Sequence, residues 1–236
     1  MILYTNGCSH VAAGEAVNEF CFAEDDSLYY ALGRQPHPDN LAASFSAILA
    51  NSLGAILDCN AEAAASNDRI LRTTNEYIDN QHDEDFVVLI GWTTWEREEW
   101  KHKNDYLQIT AGGTDSVPES MAEEYREWVL KQTMQELKRK ELKWNQLISA
   151  FSDELTEQDI KHIFFHTQEY TEYLLKQGFA TTNNHFGEDG HRAWASRLVP
   201  IADKMFHTNN ANTGLTKSKK RTILSKVKQE FRGFTR

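Results

Sequence analysis

Short apolar segments alternate along the chain with longer segments in which apolar residues recur every three or four positions. Continuous apolar runs are typical of strands buried on both faces, and the longer spacing is typical of amphipathic helices. The predicted strands cover residues 2–5, 55–59, 85–90 and 160–166. Because strands that alternate with helices usually form a covered parallel sheet, the pattern predicts an α/β fold. We expect a doubly wound, flavodoxin-like three-layer sandwich with a mostly parallel sheet.

Helices are predicted between these strands, at residues 41–53, about 67–80 and 118–150, with a short helix or turn at 170–177 and a final helix within 187–205. Residues 12–39 are predicted to be loop with at most a short helix, and residues 101–116 to be a polar excursion over the surface. Three acids and an arginine at 96–99 indicate the solvated start of a helix. Trp92 and Trp95 are expected to pack in the core or at its rim rather than to form a sugar platform.

Charge is distributed unevenly along the chain. The net charge is −10, yet residues 207–236 contain eight Lys or Arg and one Glu, so they carry +7 and the rest carries −17. The acidic body argues against general nucleic-acid binding. The pattern predicts a domain at 1–206, a polar linker at 207–216 and a basic amphipathic tail at 217–236. Such a tail suits a nucleic acid, a membrane surface, a partner protein or the acidic body itself.

Cysteine content and the N-terminal residues indicate a cellular compartment. Cys8, Cys21 and Cys59 are too few and too scattered for a disulfide framework or a zinc site, so we expect reduced thiols and no metal or cofactor. No basic region precedes the short N-terminal apolar run, and no segment approaches the roughly 20 apolar residues of a membrane span. These features predict a cytoplasmic protein without a signal peptide.

The residues that follow the predicted strands are the candidates for chemistry, because ligands of doubly wound sheets bind beyond the carboxyl ends of the strands. Cys8, Ser9 and His10 follow the first strand. Ser9 is a candidate nucleophile or a helix cap, and Cys8 is expected to be a small buried residue. His185, just before the last helix, and His191, near the start of that helix, are the candidate bases.

Three sequence blocks resemble the SGNH (GDSL-like) hydrolase superfamily over about residues 2–205. They are GCSH at 7–10, ASNDRILRT at 65–73, and the histidine just before the last helix. The resemblance is strongest to GCSH-type members found in bacteriophage and bacterial genomes. It implies a hydrolase of an acyl or acetyl ester, on a carbohydrate or a small molecule, with Ser9 as nucleophile and His185 as base.

The resemblance also implies an oxyanion hole built from the second and third blocks. The second-block glycine, whose backbone N–H is a donor, falls near Ala65. The third-block asparagine is missing from GWTTWER, so Thr93 or Thr94 would replace it, or Asn67 would supply its amide. The backbone N–H of Ser9 completes the predicted set.

One departure from the superfamily concerns the acid that orients the histidine. Thr182 occupies its expected position, three residues before His185, while Glu188 and Asp189 lie nearby in sequence. A Ser–His dyad without an acid usually works more slowly. A second hypothesis is therefore a weak or inactive binding or structural module with this fold, for instance in a phage particle, whose tail contacts a partner or nucleic acid.

Overall fold

A computed structural model describes residues 1–21, 36–81, 85–112 and 117–207. The predicted basic tail at 217–236 and most of the predicted linker lie outside the described residues. The strands are β1 (Ile2–Gly7), β2 (Ile56–Cys59), β3 (Phe86–Trp92), β4 (Glu98–His102), β5 (Asp105–Ile109), β6 (His162–His166), β7 (Thr181–Thr182) and β8 (His185–Phe186). The α-helices are α1 (Pro38–Ala42), α2 (Phe45–Leu53), α3 (Asn67–Asn80), α4 (Ala122–Lys131), α5 (Met134–Glu157), α6 (Thr167–Lys176) and α7 (Glu188–His207).

The main sheet of the described residues is parallel, with the strand order β2-β1-β3-β6. Side chains alternate between its faces, so Val87 and Leu89 pack with residues of α2, α6 and α7, whereas Val88 and Ile90 pack with residues of α3 and α5. This arrangement confirms the predicted α/β fold with helices on both faces of a parallel sheet. It also explains why the strands are apolar at successive positions.

Two of the predicted helices are divided. The predicted helix at 118–150 is wrong in its continuity, because a short 3₁₀ turn and α4 precede α5. Thr133 begins α5 as its N-cap, since its side-chain oxygen accepts a hydrogen bond from the Glu136 N–H at 3.2 Å. The predicted helix at 41–53 is likewise divided, into α1 and α2. Ser44 is the N-cap of α2, since its side-chain oxygen accepts a hydrogen bond from the Ala47 N–H at 3.0 Å.

The segment after β3 folds as a β-hairpin rather than as a solvated helix start. Glu98 and Glu99 belong to β4, which pairs antiparallel with β5. Glu98 forms an ion pair with Lys140 of α5 at 2.6 Å, and Glu99 forms one with Arg72 of α3 at 2.7 Å. The charged residues that indicated solvent exposure therefore attach this hairpin to α3 and α5.

A second hairpin, formed by β7 and β8, precedes α7 and carries His185. Its strands β7 and β8 are joined by Asn183 and Asn184, which both have positive φ angles, of 48° and 70°. Two consecutive left-handed residues form the type I′ turn that suits a two-residue hairpin, and asparagine tolerates this conformation. His185 follows the turn directly. Among the described helices, none is both long and apolar enough to cross a membrane.

Candidate functional site

The turn that follows β1 is held close to the sheet. Gly7 and Gly91 are paired in the register of β1 and β3, and a Cβ on either would lie within 2.5 Å of the Val11 side chain. The Cys8 carbonyl accepts hydrogen bonds from the N–H groups of Val11 and Ala12, at 2.9 and 3.0 Å. The Ser9 carbonyl accepts one from Gly14, at 2.8 Å. Ser9 is thus in a compact turn at the carboxyl end of β1.

His185 is joined to an acid that the sequence did not indicate. Its Nδ1 lies 3.1 Å from Oε2 of Glu15, and the other carboxylate oxygen, Oε1, accepts a hydrogen bond from Asn183 Nδ2 at 3.2 Å. An ionised carboxylate only accepts hydrogen bonds, so Nδ1 of a neutral His185 donates and Nε2 keeps its lone pair. Glu15 therefore orients the imidazole as the acid of a catalytic triad does.

Glu15, rather than a residue near Thr182, is the acid that contacts His185. Glu188, one of the two acids near His185 in sequence, pairs instead with Arg192 on the surface of α7. Glu15 has a left-handed backbone, with a φ of 60°, in the turn after Ser9. It belongs to a segment predicted only as loop with several acids. No local pattern marks an acid whose partner lies 170 residues away.

The two neighbouring histidines have different surroundings. The ring of His10 lies 5.4 Å from that of His185 in an edge-on arrangement. Burial lowers the pKa of His10 to about 4, and the nearby charges of His185 and Arg97 act in the same direction. His191 is almost fully buried and its Nδ1 accepts the Phe45 N–H at 3.3 Å, so it is a core residue rather than an available base. Burial lowers its pKa to about 3.

Cys21 completes a group of donor atoms around Glu15. One ligand atom each from Glu15, Cys21 and His185 lie within 4.8 Å of one another. A Cβ on Gly14 would lie 3.1 Å from the Cys21 Sγ and 3.5 Å from the His185 Nε2, so glycine leaves space between these two side chains. Burial, followed by the charge and hydrogen bond of Glu15, raises the pKa of the Cys21 thiol to about 11.

Two of the predicted oxyanion donors are engaged with each other. The side-chain oxygen of Asn67 accepts the Thr93 N–H at 2.9 Å, and its Nδ2 donates to the Thr93 carbonyl at 3.0 Å. This pair attaches the first turn of α3 to the end of β3. The Thr94 hydroxyl is buried and makes no hydrogen bond with the described residues.

The loop that carries Ala65 is fixed by an ion pair. Arg69 Nε lies 2.6 Å from the Glu62 carboxylate, with both side chains buried, and an Arg69 guanidinium N–H donates to the Asn60 carbonyl at 2.9 Å. The Ala65 N–H donates to the Glu62 carbonyl at 3.1 Å and closes a turn. Ala64, the residue before Ala65, has a φ of 63°, in the left-handed region that favours glycine.

Trp92, as predicted, is part of the core. It is fully buried and packs edge-on against Phe151 and Phe164. Arg97 lies beyond the end of β3, and one of its guanidinium nitrogens lies 3.5 Å from the Ala65 carbonyl.

Neither the protein-family models nor the curated proteins contain a match to this sequence. Among solved structures, the chain is similar to a protein from Desulfitobacterium hafniense DCB-2 that is named as a member of the lipolytic G-D-S-L family. The identity is 8%, the match covers 84% of this chain and 98% of the other, and the TM-score is 0.37.

Proposed function

We propose that this chain is a serine hydrolase that cleaves esters, with Ser9 as nucleophile, His185 as general base and Glu15 as the acid that orients the histidine. The contact between His185 Nδ1 and Glu15 Oε2, at 3.1 Å, carries the proposal. Glu15 would be the orienting acid that is missing at Thr182, and the lack of that acid was the reason to consider an inactive module. The GCSH and ASNDRILRT blocks support an SGNH-type assignment for the same residues.

The proposed reaction depends on which nitrogen of the His185 imidazole carries the proton. With the Nδ1 proton directed at Glu15, the Nε2 lone pair of His185 accepts the Ser9 hydroxyl proton as Oγ attacks the ester carbonyl. His185 then returns that proton to the departing alcohol, and an acyl group remains on Ser9. A water molecule, deprotonated by Nε2, attacks this acyl group, and the carboxylic acid leaves as Ser9 regains its proton. Glu15 stabilises the imidazolium that forms in both halves.

The oxyanion hole in this proposal uses the Ser9 N–H and the hydroxyl of Thr94. Thr94 is the preferred side-chain donor because its Oγ has no partner among the described residues. The N–H groups of Thr93 and Ala65 already donate within the protein, and Asn67 is occupied by Thr93. These three groups would therefore shape the crevice rather than hold the developing charge. The proposed substrate is an acyl or acetyl ester of a carbohydrate or small molecule.

A fluorophosphonate probe tests the assignment directly. We expect the probe to label the wild-type chain and the Ser52→Ala control, in which an exposed serine on α2 is removed. We expect Ser9→Ala to lose both labelling and hydrolysis of nitrophenyl acetate. Labelling that is independent of Ser9, or no labelling of a folded wild-type protein, would favour the binding or structural module instead.

A further inference from the structure

Two of the proposed catalytic residues and a neighbouring cysteine form a ligand set of mixed chemistry. Glu15 offers a carboxylate oxygen, Cys21 a sulfur and His185 an imidazole nitrogen, and these atoms lie within 4.8 Å of one another. The side chains of Glu15 and His185 are each 15% exposed, so the cluster is shielded but reachable from solvent. The set was invisible in the sequence, where Cys21 has no metal-ligand spacing to any neighbour.

We propose that Glu15, Cys21 and His185 bind Zn²⁺ with a fourth position open, and that this binding inhibits the hydrolase. Nitrogen, sulfur and carboxylate oxygen are the ligands zinc takes in proteins, and three protein ligands with an open position are typical of accessible sites. The carboxylate and a thiolate balance the two positive charges of the ion. The Cys21 thiol proton is released to solvent when the sulfur coordinates.

The spacing of the donors suits a small tetrahedral ion. Zinc–ligand bonds of about 2.0–2.3 Å place tetrahedral ligands roughly 3.4–3.8 Å from each other. Oε2 of Glu15 and Nδ1 of His185 are 3.1 Å apart, and the donor atoms of the three side chains lie within 4.8 Å of one another. The distances between the donor atoms therefore need to change by only about 1 Å to surround the ion. Gly14 has no side chain between the Cys21 sulfur and the imidazole, whereas a Cβ there would lie 3.1 Å from that sulfur.

The backbone holds two of the ligands in place without a metal. The Gly14 N–H donates to the Ser9 carbonyl at 2.8 Å, and the Glu188 N–H donates to the Ala16 carbonyl at 3.2 Å, so the turn around Glu15 is anchored on both sides. His185 is fixed by the β7–β8 hairpin. A site whose ligands are already ordered binds with less loss of conformational entropy.

The inhibitory effect rests on the proposed function, whereas zinc binding itself does not. An ion held by His185 and Glu15 replaces the hydrogen bond between them and removes the acid from its orienting role. Zinc that coordinates Nε2 also removes the lone pair needed by Ser9, and zinc that coordinates Nδ1 displaces the proton that Glu15 holds. Either geometry stops the transfer of the Ser9 proton.

Direct binding to the full chain is the first test. Zinc affinity is measured by competition with a chromophoric chelator, and cobalt is used as a spectroscopic probe. We expect one zinc per chain, a thiolate-to-cobalt charge-transfer band, and a loss of about 10²-fold or more in affinity for Cys21→Ser. Cys59→Ser, which alters a cysteine on β2, should bind as the wild type does. Zinc should also protect Cys21 from alkylation, measured by mass spectrometry on the unaltered chain.

Two further variants separate the zinc site from the hydrolase. Ser9→Ala should keep the zinc affinity of the wild type while it loses probe labelling. Cys21→Ser should be at least tenfold less sensitive to zinc than the wild type, with each protein measured against its own zinc-free rate, and chelator should restore the wild-type rate. Equal zinc affinity of Cys21→Ser and wild type, or no protection of Cys21, would overturn the site. Activation of the esterase by zinc would overturn the inhibitory role but would not contradict zinc binding by Glu15, Cys21 and His185.

Discussion

Glu15 and His185 lie 170 positions apart in the chain and 3.1 Å apart in the structure. The turn after β1 carries the acid, and the β7–β8 hairpin carries the base. Because the two segments are far apart in the sequence, the two proposed catalytic residues come together only in the folded chain. The catalytic proposal therefore depends on this contact more than on either residue alone.

Glu15→Gln should lower kcat for nitrophenyl acetate by roughly 10²- to 10⁴-fold and change KM little, since the amide no longer fixes the Nδ1 proton or stabilises the imidazolium. Steady-state kinetics on the purified variant measure this effect. Glu19→Gln, a nearby exposed acid, is the control and should retain full activity. A Glu15→Gln enzyme with wild-type kcat would contradict the role of Glu15.

Asn183→Gly should lower kcat by roughly tenfold, in proportion to the loss of one hydrogen bond to a charged group. Glycine keeps the left-handed turn that Asn183 adopts, but it removes the 3.2 Å contact to Glu15 Oε1. Asn184→Gly is a matched control, because it alters the same turn and leaves that contact in place. Equal rates for the two variants would show that Asn183 acts through the turn alone.

Asn67→Ala should lower the free energy of unfolding by about 2–4 kcal/mol, because it leaves the N–H and C=O of Thr93 without partners in a buried place. Urea denaturation followed by circular dichroism measures the change. Asn51→Ala, on the exposed surface of α2, should stay within about 0.5 kcal/mol of the wild type. A similarly small change for Asn67→Ala would indicate that water replaces its amide.

The main sheet could be predicted from the sequence because its signals are local. An apolar run such as that at 85–90 indicates a strand buried on both faces wherever its partners come from. The start of α3 was also predicted, at about residue 67, and in the structure Ser66 caps this helix by accepting the Arg69 N–H at 3.3 Å.

The features that could not be predicted depend on distant partners. The charges of Glu98 and Glu99, considered alone, indicate a solvent-exposed segment. In the structure both residues belong to a hairpin, where they form ion pairs with Lys140 of α5 and Arg72 of α3. Glu15 and Cys21 belong to a loop with no periodicity, and only their position beside His185 in the structure distinguishes them. The sequence resemblance identified the nucleophile and base as candidates, whereas the acid required three-dimensional proximity.

His191 should make the stability of the protein depend on pH below its ordinary pKa. Burial lowers the pKa of His191 to about 3 in the folded state, whereas the unfolded chain takes up the proton near the ordinary value of 6.5. The contribution of the neutral buried imidazole is therefore complete above about pH 6.5 and is lost progressively as the pH falls towards about 3, at up to about 1.4 kcal/mol per pH unit. Urea denaturation of the wild type and His191→Gln, from about pH 7.5 to about pH 5, measures this. The difference in stability between them should be constant above about pH 6.5 and should narrow below it. A difference that stays constant throughout would mean that His191 titrates normally in the folded protein.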